Sequence, residues 1–543
     1  MSPIDALLRR AELSLLRVVA PPARVRADGP AAPIDSPRGP TGIQAVPAPC
    51  PPLPPENSRS WHRLGWFSAL ARSAPTEAAA RLRLWLASDV PGDGPAWEHR
   101  SDAAVRLAHL AAGLSWGGGV EAGLNAAIAG SVAWHLRVLS GTTPVSENDG
   151  LRAVCHHAGL VIGGFLYPEL EESASARRDG LAGLRFGLPR QLHADGSSRD
   201  LAPRALGQAL MLVAVARTMT RANGAAFPTS AEAALVAGAR FLERLGGDLG
   251  YLPPLGVYGP EDLLPGVGGG GRGLWSYVVG AGLQSGEAGP ELFATALGAG
   301  GSEGQPEPSS GSTWAMWTWR ESGVVAAFLK VKSQPSRVIA NFGAPRPSEQ
   351  SHHAPMSVLW ELGDLALLAD PGTPGDDPGA EVAAGAVAHG CLQVDGRPEA
   401  SGAVLDVARV DGKKARIEGH HEGWRLSRSP LRHERELLLN QARLLCTDRL
   451  VSLGRSTSSE TLRLCWQLGP GFAVERAEKG FIAKNGKIQL QILLPTALEW
   501  SVELGGPTFG RVWTDAGFVS APALVGTGTV ESGAELVSSF EVR

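Results

Sequence analysis

The sequence S-H-H-A-P at 351–355, followed by A-D-P-G-T at 369–373 and A-H at 388–389, decides how this chain is interpreted. Apolar residues flank a Gly-Asp pair at 363–364, and apolar runs divided by such a pair predict a β-hairpin over 357–369. We therefore expect His353 and Asp370 to come from neighbouring strands, and a further strand ending in a turn over 388–396. Imidazole and carboxylate groups from adjacent strands are zinc ligands, so His353, Asp370 and His389 predict a zinc site whose fourth ligand is water or another group.

The composition describes a globular chain without a general attraction to nucleic acid or anionic membranes. It has 543 residues, 43% of them hydrophobic, which suffices for two or three domains and a large buried core. Fifty basic and 54 acidic residues leave a net charge of −4. This balance gives no electrostatic reason to bind nucleic acid or an anionic membrane surface. We expect no transmembrane segment.

The chain is expected to have four parts. Pro-rich and Ala-rich sequence over 1–58 predicts a disordered N-terminal segment. Helical periodicity dominates 59–283, Gly-rich sequence over 284–312 predicts a linker, and short β runs divided by turn signals fill 313–543. The expected fold is α+β and multidomain: an N-terminal α/α toroid, an incomplete barrel of hairpin-linked helices, followed by an antiparallel β-sandwich.

The individual elements follow from hydrophobic periodicity. Helices are predicted over 76–88, 102–114, 123–139, 151–165, 200–223 and 230–245. Strands are predicted over 323–332, 357–369, 404–410, 415–420, 437–439, 461–468 and 488–494.

These motifs resemble the C-terminal part of the heparinase II/III family of polysaccharide lyases. The family pattern is roughly H-x-H-A-D, then D-P-G-T, then A-H-N, on the strands of a β-sandwich that follows an α/α toroid. The resemblance implies a structural zinc ion held by His353, Asp370 and His389. Pro355 and Gly390 replace polar residues of the family pattern beside these ligands.

The resemblance extends into the helical part, from about Trp61 onward. E-N-D-G-L at 147–151 lies where the family has N-H-L-L at the start of a helix. Q-L-H-A-D-G at 191–196, with D-L-A-P at 200–203, resembles the family's D-G-G-x-x-E-x-S-P-x-Y-H. H-E-R at 433–435 and T-D-R at 447–449 match weaker features of the sandwich.

The family's chemistry is β-elimination next to a uronic acid. A polar side chain neutralises the uronate carboxylate, a base removes the C5 proton and an acid protonates the leaving oxygen. Of the four catalytic residues that the resemblance implies, Asn148 is kept. Asp149 replaces a His, Ala205 a Tyr and Ser351 the sandwich His.

Other residues are candidates for the missing acid and base. His193 precedes Asp-Gly in the second helical motif, and Tyr258 lies in a Pro-rich loop near the end of the toroid. His352 neighbours the lost position but faces the other side of a strand unless a bulge turns it. Asp149 would repel a uronate unless it is protonated or paired, and Asn148 is equally suited to cap a helix.

Two functions therefore remain open. One is a lyase with a replaced acid and base that acts on an unusual acidic polysaccharide. The other is a non-catalytic protein that keeps the fold and the zinc ion and binds or assembles glycans. The N-terminus has no clear export signal, whereas the family resemblance favours the cell envelope or periplasm, so the compartment stays open.

Overall fold

The computed structural model describes two compact units. The described residues are 63–88, 97, 100–116, 121–141, 150–246, 249, 252–253, 255, 314–344, 354–372, 389–395, 397, 402–426, 429–454, 458–506, 508–514 and 517–543. The first unit contains the helical residues up to 196 and those of 205–243. The second contains residues 197–204, those described between 244 and 260, and the C-terminal part from 314 onward. The predicted segment 1–58 and linker 284–312 lie outside the described residues.

Eight helices are found in the described N-terminal region, and each of the six predicted helices is confirmed. They are α1 (Gly65–Ser73), α2 (Pro75–Ser88), α3 (Arg100–Trp116), α4 (Ala122–Leu139), α5 (Leu151–Leu166), α6 (Ser173–Arg190), α7 (Pro203–Ala222) and α8 (Thr229–Gly246). The predicted start of α7 at 200 was wrong, because Leu201 has φ 53°, outside the helical range. Within the described residues, none of the helices combines the length and the hydropathy needed to cross a membrane.

Helix α6 was missed because its buried stripe is made largely of small residues. The stripe has helical spacing, but its first members are Ser173, Ala176 and Gly180, and only then come Leu184 and Leu188. Arg and Asp occupy much of the remaining surface, so a hydrophobic pattern is faint.

Small residues also let α5 approach its neighbours closely. A Cβ on Gly159 would lie 2.6 Å from the Cβ of Ala104 in α3, and a Cβ on Gly180 would lie 2.8 Å from Cγ2 of Val161 in α5. Real Cβ atoms do not come this close, so both positions require glycine for this packing.

The helical unit buries polar side chains in fixed pairs. Nε of Arg106 donates to Nε2 of His135 at 2.8 Å, and Nδ1 of the same His donates to the Ser131 carbonyl at 2.7 Å. This arrangement requires a neutral imidazole. Burial, with the charge of Arg106, lowers the pKa of His135 to about 3.

The C-terminal region forms antiparallel sheets, as predicted. Its strands are β1 (Trp314–Trp319), β2 (Val324–Val331), β3 (Gln334–Asn341), β4 (Ser357–Leu362), β5 (Leu365–Leu368), β6 (Leu392–Val394), β7 (Val404–Asp411), β8 (Lys414–Trp424), β9 (Leu431–Asn440), β10 (Arg443–Ser452), β11 (Ser459–Gln467), β12 (Ala473–Arg476), β13 (Phe481–Asn485), β14 (Ile488–Leu493), β15 (Glu499–Leu504), β16 (Arg511–Thr514), β17 (Gly517–Ser520), β18 (Pro522–Glu531) and β19 (Glu535–Val542).

Three larger sheets share one hydrophobic core. Their strand orders are β1-β2-β3-β4-β5, β12-β13-β14-β19-β10-β9-β8-β7 and β15-β18-β11-β6. Trp360 from the first sheet, Trp424 from the second and Trp466 from the third belong to the same buried cluster. The predicted hairpin is confirmed: β4 and β5 pair across Gly363-Asp364, and Gly363 has φ 57°.

Strand alternation decides which side chains of β8, β9 and β10 enter this core. Burial alternates along β9, so that Leu431, His433, Arg435, Leu437 and Leu439 all face inward. His421 on β8 is paired with His433, and Asp448 on β10 is paired with Arg435. The polar side chains of His421, His433, Arg435 and Asp448 therefore lie at inward positions, where the alternation otherwise places apolar residues.

The predicted strand over 388–396 was partly wrong. Among the described residues of this stretch, 389–395, the strand comprises Leu392–Val394, and His389 lies in the turn before it. Gly390 has φ 73°, a conformation that belongs to turns and not to strands. Asp370 likewise follows the end of β5, where Pro371 has no N–H to offer a neighbouring strand.

Candidate metal centre and its buried support

Asp370 is held in place by its own backbone turn. Its Oδ1 accepts the N–H of Gly372 at 2.9 Å, and Gly372 has the positive φ of 73° that such a turn needs. Upstream, the N–H of Ala369 donates to the carbonyl of Gln467 at 2.9 Å. The carboxylate is therefore fixed immediately beyond the sheet and is almost fully buried.

His389 meets Asp370 directly. Nδ1 of His389 lies 2.9 Å from Oδ1 of Asp370, and both side chains are at most 3% exposed. Two ligands on a tetrahedral zinc ion, each about 2.0–2.1 Å from the metal, are separated by roughly 3.3 Å. A buried carboxylate and imidazole at nearly this separation are a donor set that fits zinc. The described residues contain no group of three metal-ligating side chains, and the third predicted ligand, His353, lies outside them.

The segments that carry these predicted ligands contact each other. Sγ of Cys391, two residues after His389, donates to the carbonyl of Pro355 at 3.0 Å. Ala354, the residue after His353, packs on Cys391, and its carbonyl accepts Nδ2 of Asn341 at 3.0 Å. The backbone on the C-terminal side of both histidines is therefore in contact.

A buried ion pair lies behind these segments. Arg435 binds Asp448 through Nε to Oδ1 at 2.7 Å and through Nη2 to Oδ2 at 3.1 Å. Burial alone would raise the pKa of Asp448, but the charge of Arg435 and the hydrogen bond from His433 hold it well below the usual value. Asp448 is therefore a carboxylate and Arg435 a cation throughout the ordinary pH range.

The same guanidinium reaches both ligand-bearing segments. Its Nη1 donates to the carbonyl of Met356 at 2.6 Å and to the carbonyl of Gly390 at 2.7 Å. Gly390 directly follows His389 in the chain, and Met356 lies three residues after His353. Arg435 thus joins the two segments through hydrogen bonds to their backbones.

Two histidines continue the network away from the ion pair. Nε2 of His433 lies 2.7 Å from Oδ1 of Asp448, and Nδ1 of His433 lies 3.2 Å from Nε2 of His421. The N–H of Gly423 donates to Nδ1 of His421 at 3.4 Å. One assignment satisfies every contact: both rings are neutral and each carries its proton on Nε2. Burial, with the nearby His433 and Arg435, lowers the pKa of His421 to about 2.

Most predicted catalytic residues lie outside the described residues, namely Asn148, Asp149, Tyr258 and His352. His193 is described: it is half-buried in the turn that follows α6, and its carbonyl accepts the N–H of Gly196 at 3.0 Å. Ala205, at the position where the resemblance implies a tyrosine, is a buried methyl group in the first turn of α7. It supplies no acid or base.

Sequence reasoning did not assign a role to the buried cluster of His421, His433, Arg435 and Asp448. A signal was nevertheless present in β9, where His433 and Arg435 share the parity of Leu431, Leu437 and Leu439. An Arg at an inward position demands a buried anion. In β10 an acid of matching parity is available, because Asp448 shares the inward face with Leu444, Cys446 and Leu450.

A known protein family and solved structures share this architecture. Residues 315–528 match the sequence profile of the heparinase II/III-like C-terminal domain. A crystal structure of heparinase III aligns with a TM-score of 0.62 and 13% identity over 90% of this chain and 78% of that chain. A mutant of the heparan sulfate lyase HepC from Pedobacter heparinus aligns with a TM-score of 0.56 and 14% identity, also over 90% and 78%. No curated protein sequence matches significantly.

The protein thus has a polysaccharide lyase fold, a helical toroid followed by a β-sandwich. Residues 315–528 form a heparinase II/III-like C-terminal domain, and the predicted resemblance to the heparinase II/III family is confirmed. At 13–14% identity the aligned structures establish the fold alone.

Proposed function

We propose that this protein is a heparinase II/III-like lyase that cleaves a uronate-containing acidic polysaccharide by β-elimination. The observation that supports this most strongly is the family match of residues 315–528, within which Asp370 and His389 form a buried carboxylate–imidazole pair at two expected ligand positions. Relatives with this fold include a heparan sulfate lyase, so the substrate class proposed here is that of the relatives.

Each residue has a proposed role. Asn148 neutralises the uronate carboxylate, which makes the C5 proton acidic enough to remove. His193 or His352 acts as the base, and Tyr258 or the remaining histidine protonates the leaving oxygen. Asp149 must be protonated or paired when the substrate is bound, because a free carboxylate beside a uronate disfavours binding.

We propose that zinc is held by His353, Asp370 and His389. The ion would join segments of the sandwich and contribute to its folding, and it takes no part in the elimination. The contact of Cys391 with Pro355 supports the trio, because both residues lie two positions beyond a proposed histidine ligand. Purified protein should contain about one zinc ion per chain, and His389→Ala should lose it. Unchanged metal content in His389→Ala would contradict this assignment.

The activity test measures the ultraviolet absorbance of the unsaturated uronate product on a panel of acidic polysaccharides. Asn148→Ala should lower the rate at least tenfold, since one preorganised polar contact to developing charge contributes about 10²–10³ in rate. Asn223→Ala is the control, because it removes an Asn amide that donates to the nearby Met219 carbonyl at 2.8 Å and lies outside the motifs that carry the resemblance. Equal rates in the two variants would refute the role of Asn148.

One observation favours a second function, a non-catalytic glycan-binding or assembly protein. Ala205 places a buried methyl group where the resemblance implies a tyrosine, and Ser351 replaces the sandwich histidine. Folded, zinc-loaded protein that binds an acidic polysaccharide without releasing unsaturated product would establish this function in place of the lyase.

A further inference from the structure

We propose that Arg435 is a positioning residue of the metal centre, which it sets by joining the segments that follow His353 and His389. This inference rests on the zinc site proposed above. One nitrogen, Nη1, donates to the carbonyls of Met356 and Gly390 at 2.6 and 2.7 Å. A single rigid group thereby fixes the spacing between two backbone segments that are far apart in the chain.

The contact with Gly390 acts close to a ligand. The Gly390 carbonyl belongs to the residue directly after His389, and a hydrogen bond to it restrains the turn in which that histidine lies. Partners that orient metal ligands typically contribute 10–100-fold to metal affinity. Arg435 acts here through the backbone, without touching the imidazole.

The guanidinium itself has little freedom to move. Nε and Nη2 are bound to Asp448, whose Oδ1 also contacts Nε2 of His433. The Arg435 Cζ lies 5.2 Å from the centre of the Trp466 ring, and the side chain is fully buried. The planar fork is thus held on β9, while Nη1 points to the two carbonyls.

Substitution of Arg435 by lysine tests the geometry of the guanidinium group while it keeps the positive charge. The lysine ammonium group retains the charge opposite Asp448, but it lacks the fork that reaches a carboxylate and two carbonyls together. Arg435→Lys should therefore keep the buried charge compensated and still release the two segments.

The chain offers a matched control in Arg337 on β3. Arg337 is also fully buried, binds Glu361 through Nε at 2.7 Å, and donates through Nη1 to the carbonyls of Leu245 and Gly246 at 2.8 and 3.3 Å. Arg337→Lys thus makes the same chemical change in the same kind of environment, away from the proposed ligands.

The experiment measures zinc affinity by competition with a chromophoric chelator, using full-length variants shown to be folded by circular dichroism. Arg435→Lys should bind zinc 10–100-fold more weakly than the unsubstituted protein, and Arg337→Lys should bind it equally well. Wild-type affinity in Arg435→Lys, or an equal loss in Arg337→Lys, overturns the proposal.

Two further outcomes are distinguishable. If the unsubstituted protein binds no zinc, the metal site itself is wrong and the inference falls with it. If Arg435→Lys does not fold, the double variant Arg435→Met/Asp448→Leu decides the matter, because it removes the bonds to the Met356 and Gly390 carbonyls and leaves neither charge of this pair in the core. Unchanged zinc affinity in the folded double variant would then overturn the positioning role.

Discussion

Arg435→Met removes one half of a fully buried ion pair, and the cost follows from the contacts that remain. Asp448 stays in the core as an unpaired anion, which typically costs about 3–5 kcal/mol. The carbonyls of Met356 and Gly390 lose a donor, and each buried polar group left unpaired adds about 1–3 kcal/mol. We expect a loss of about 5–11 kcal/mol, which approaches the whole stability of an ordinary domain.

A second substitution should recover part of this loss. In Arg435→Met/Asp448→Leu neither charge of this pair remains, so the double variant should be about 3–5 kcal/mol more stable than the single variant. The control is Arg449→Met, because Arg449 pairs with Glu535 at 2.7 Å but both side chains are more than one-third exposed. An exposed pair of this kind contributes at most about 1 kcal/mol.

Hydrogen exchange of the β9 and β10 amides, followed by mass spectrometry, measures the loss of stability locally in this two-unit chain.

The pH dependence of stability provides an independent check. Without Arg435, burial raises the pKa of Asp448 above its unfolded value, so protonation of this carboxyl favours the folded state as pH falls. The difference in unfolding free energy between Arg435→Met and Arg449→Met should therefore shrink at lower pH. A single variant that loses less than about 1 kcal/mol, or a double variant no more stable than the single one, would refute the reasoning.

Three further predictions test other parts of the molecule. Chelation of zinc should lower the thermal midpoint of the unsubstituted protein but not that of His389→Ala, measured by circular dichroism; equal shifts would contradict the metal site. Because the pKa of His135 is about 3 when folded and near 6.5 when unfolded, stability is lost as pH falls. From pH 7 to 5 this loss is about 2 kcal/mol in urea unfolding, and His135→Gln should lack it. Gly159→Ala should destabilise by about 1–3 kcal/mol through its clash with Ala104, whereas Gly130→Ala, with open space at Cβ, should be neutral or stabilising by up to about 1 kcal/mol. Equal effects of the two glycine substitutions would show that the close helix contact is not needed.

The overall architecture was predictable because it depends on the spacing of apolar residues, which can be read directly from the sequence. The helix over Leu151–Leu166 and the hairpin of β4 and β5 carry strong apolar patterns with turn residues between them. Helix α6 carries its pattern in Ser, Ala and Gly, which pack well but contribute little hydrophobic signal. Periodicity therefore fails where close approach replaces bulky apolar side chains.

The candidate site was predictable in its residue types and not in its support. Asp370 and His389 were expected from their motifs, and their 2.9 Å contact agrees with a shared site. The bonds from Arg435 to the Met356 and Gly390 carbonyls could not be predicted from a sequence motif, because every residue has a backbone carbonyl that can accept such a bond. Contacts of this kind depend on register and strand pairing, which become visible only in three dimensions.

The bonds of Arg337 to Leu245 and Gly246 have a practical consequence for dividing this protein. The match to the C-terminal domain begins at residue 315, but these two acceptors lie about seventy residues earlier in the chain and belong to the same compact unit. A fragment cut at the profile boundary would leave a buried cation facing missing carbonyls. The matched sequence region and the compact unit therefore have different borders, and a fragment that is to keep these two bonds must also contain Leu245 and Gly246.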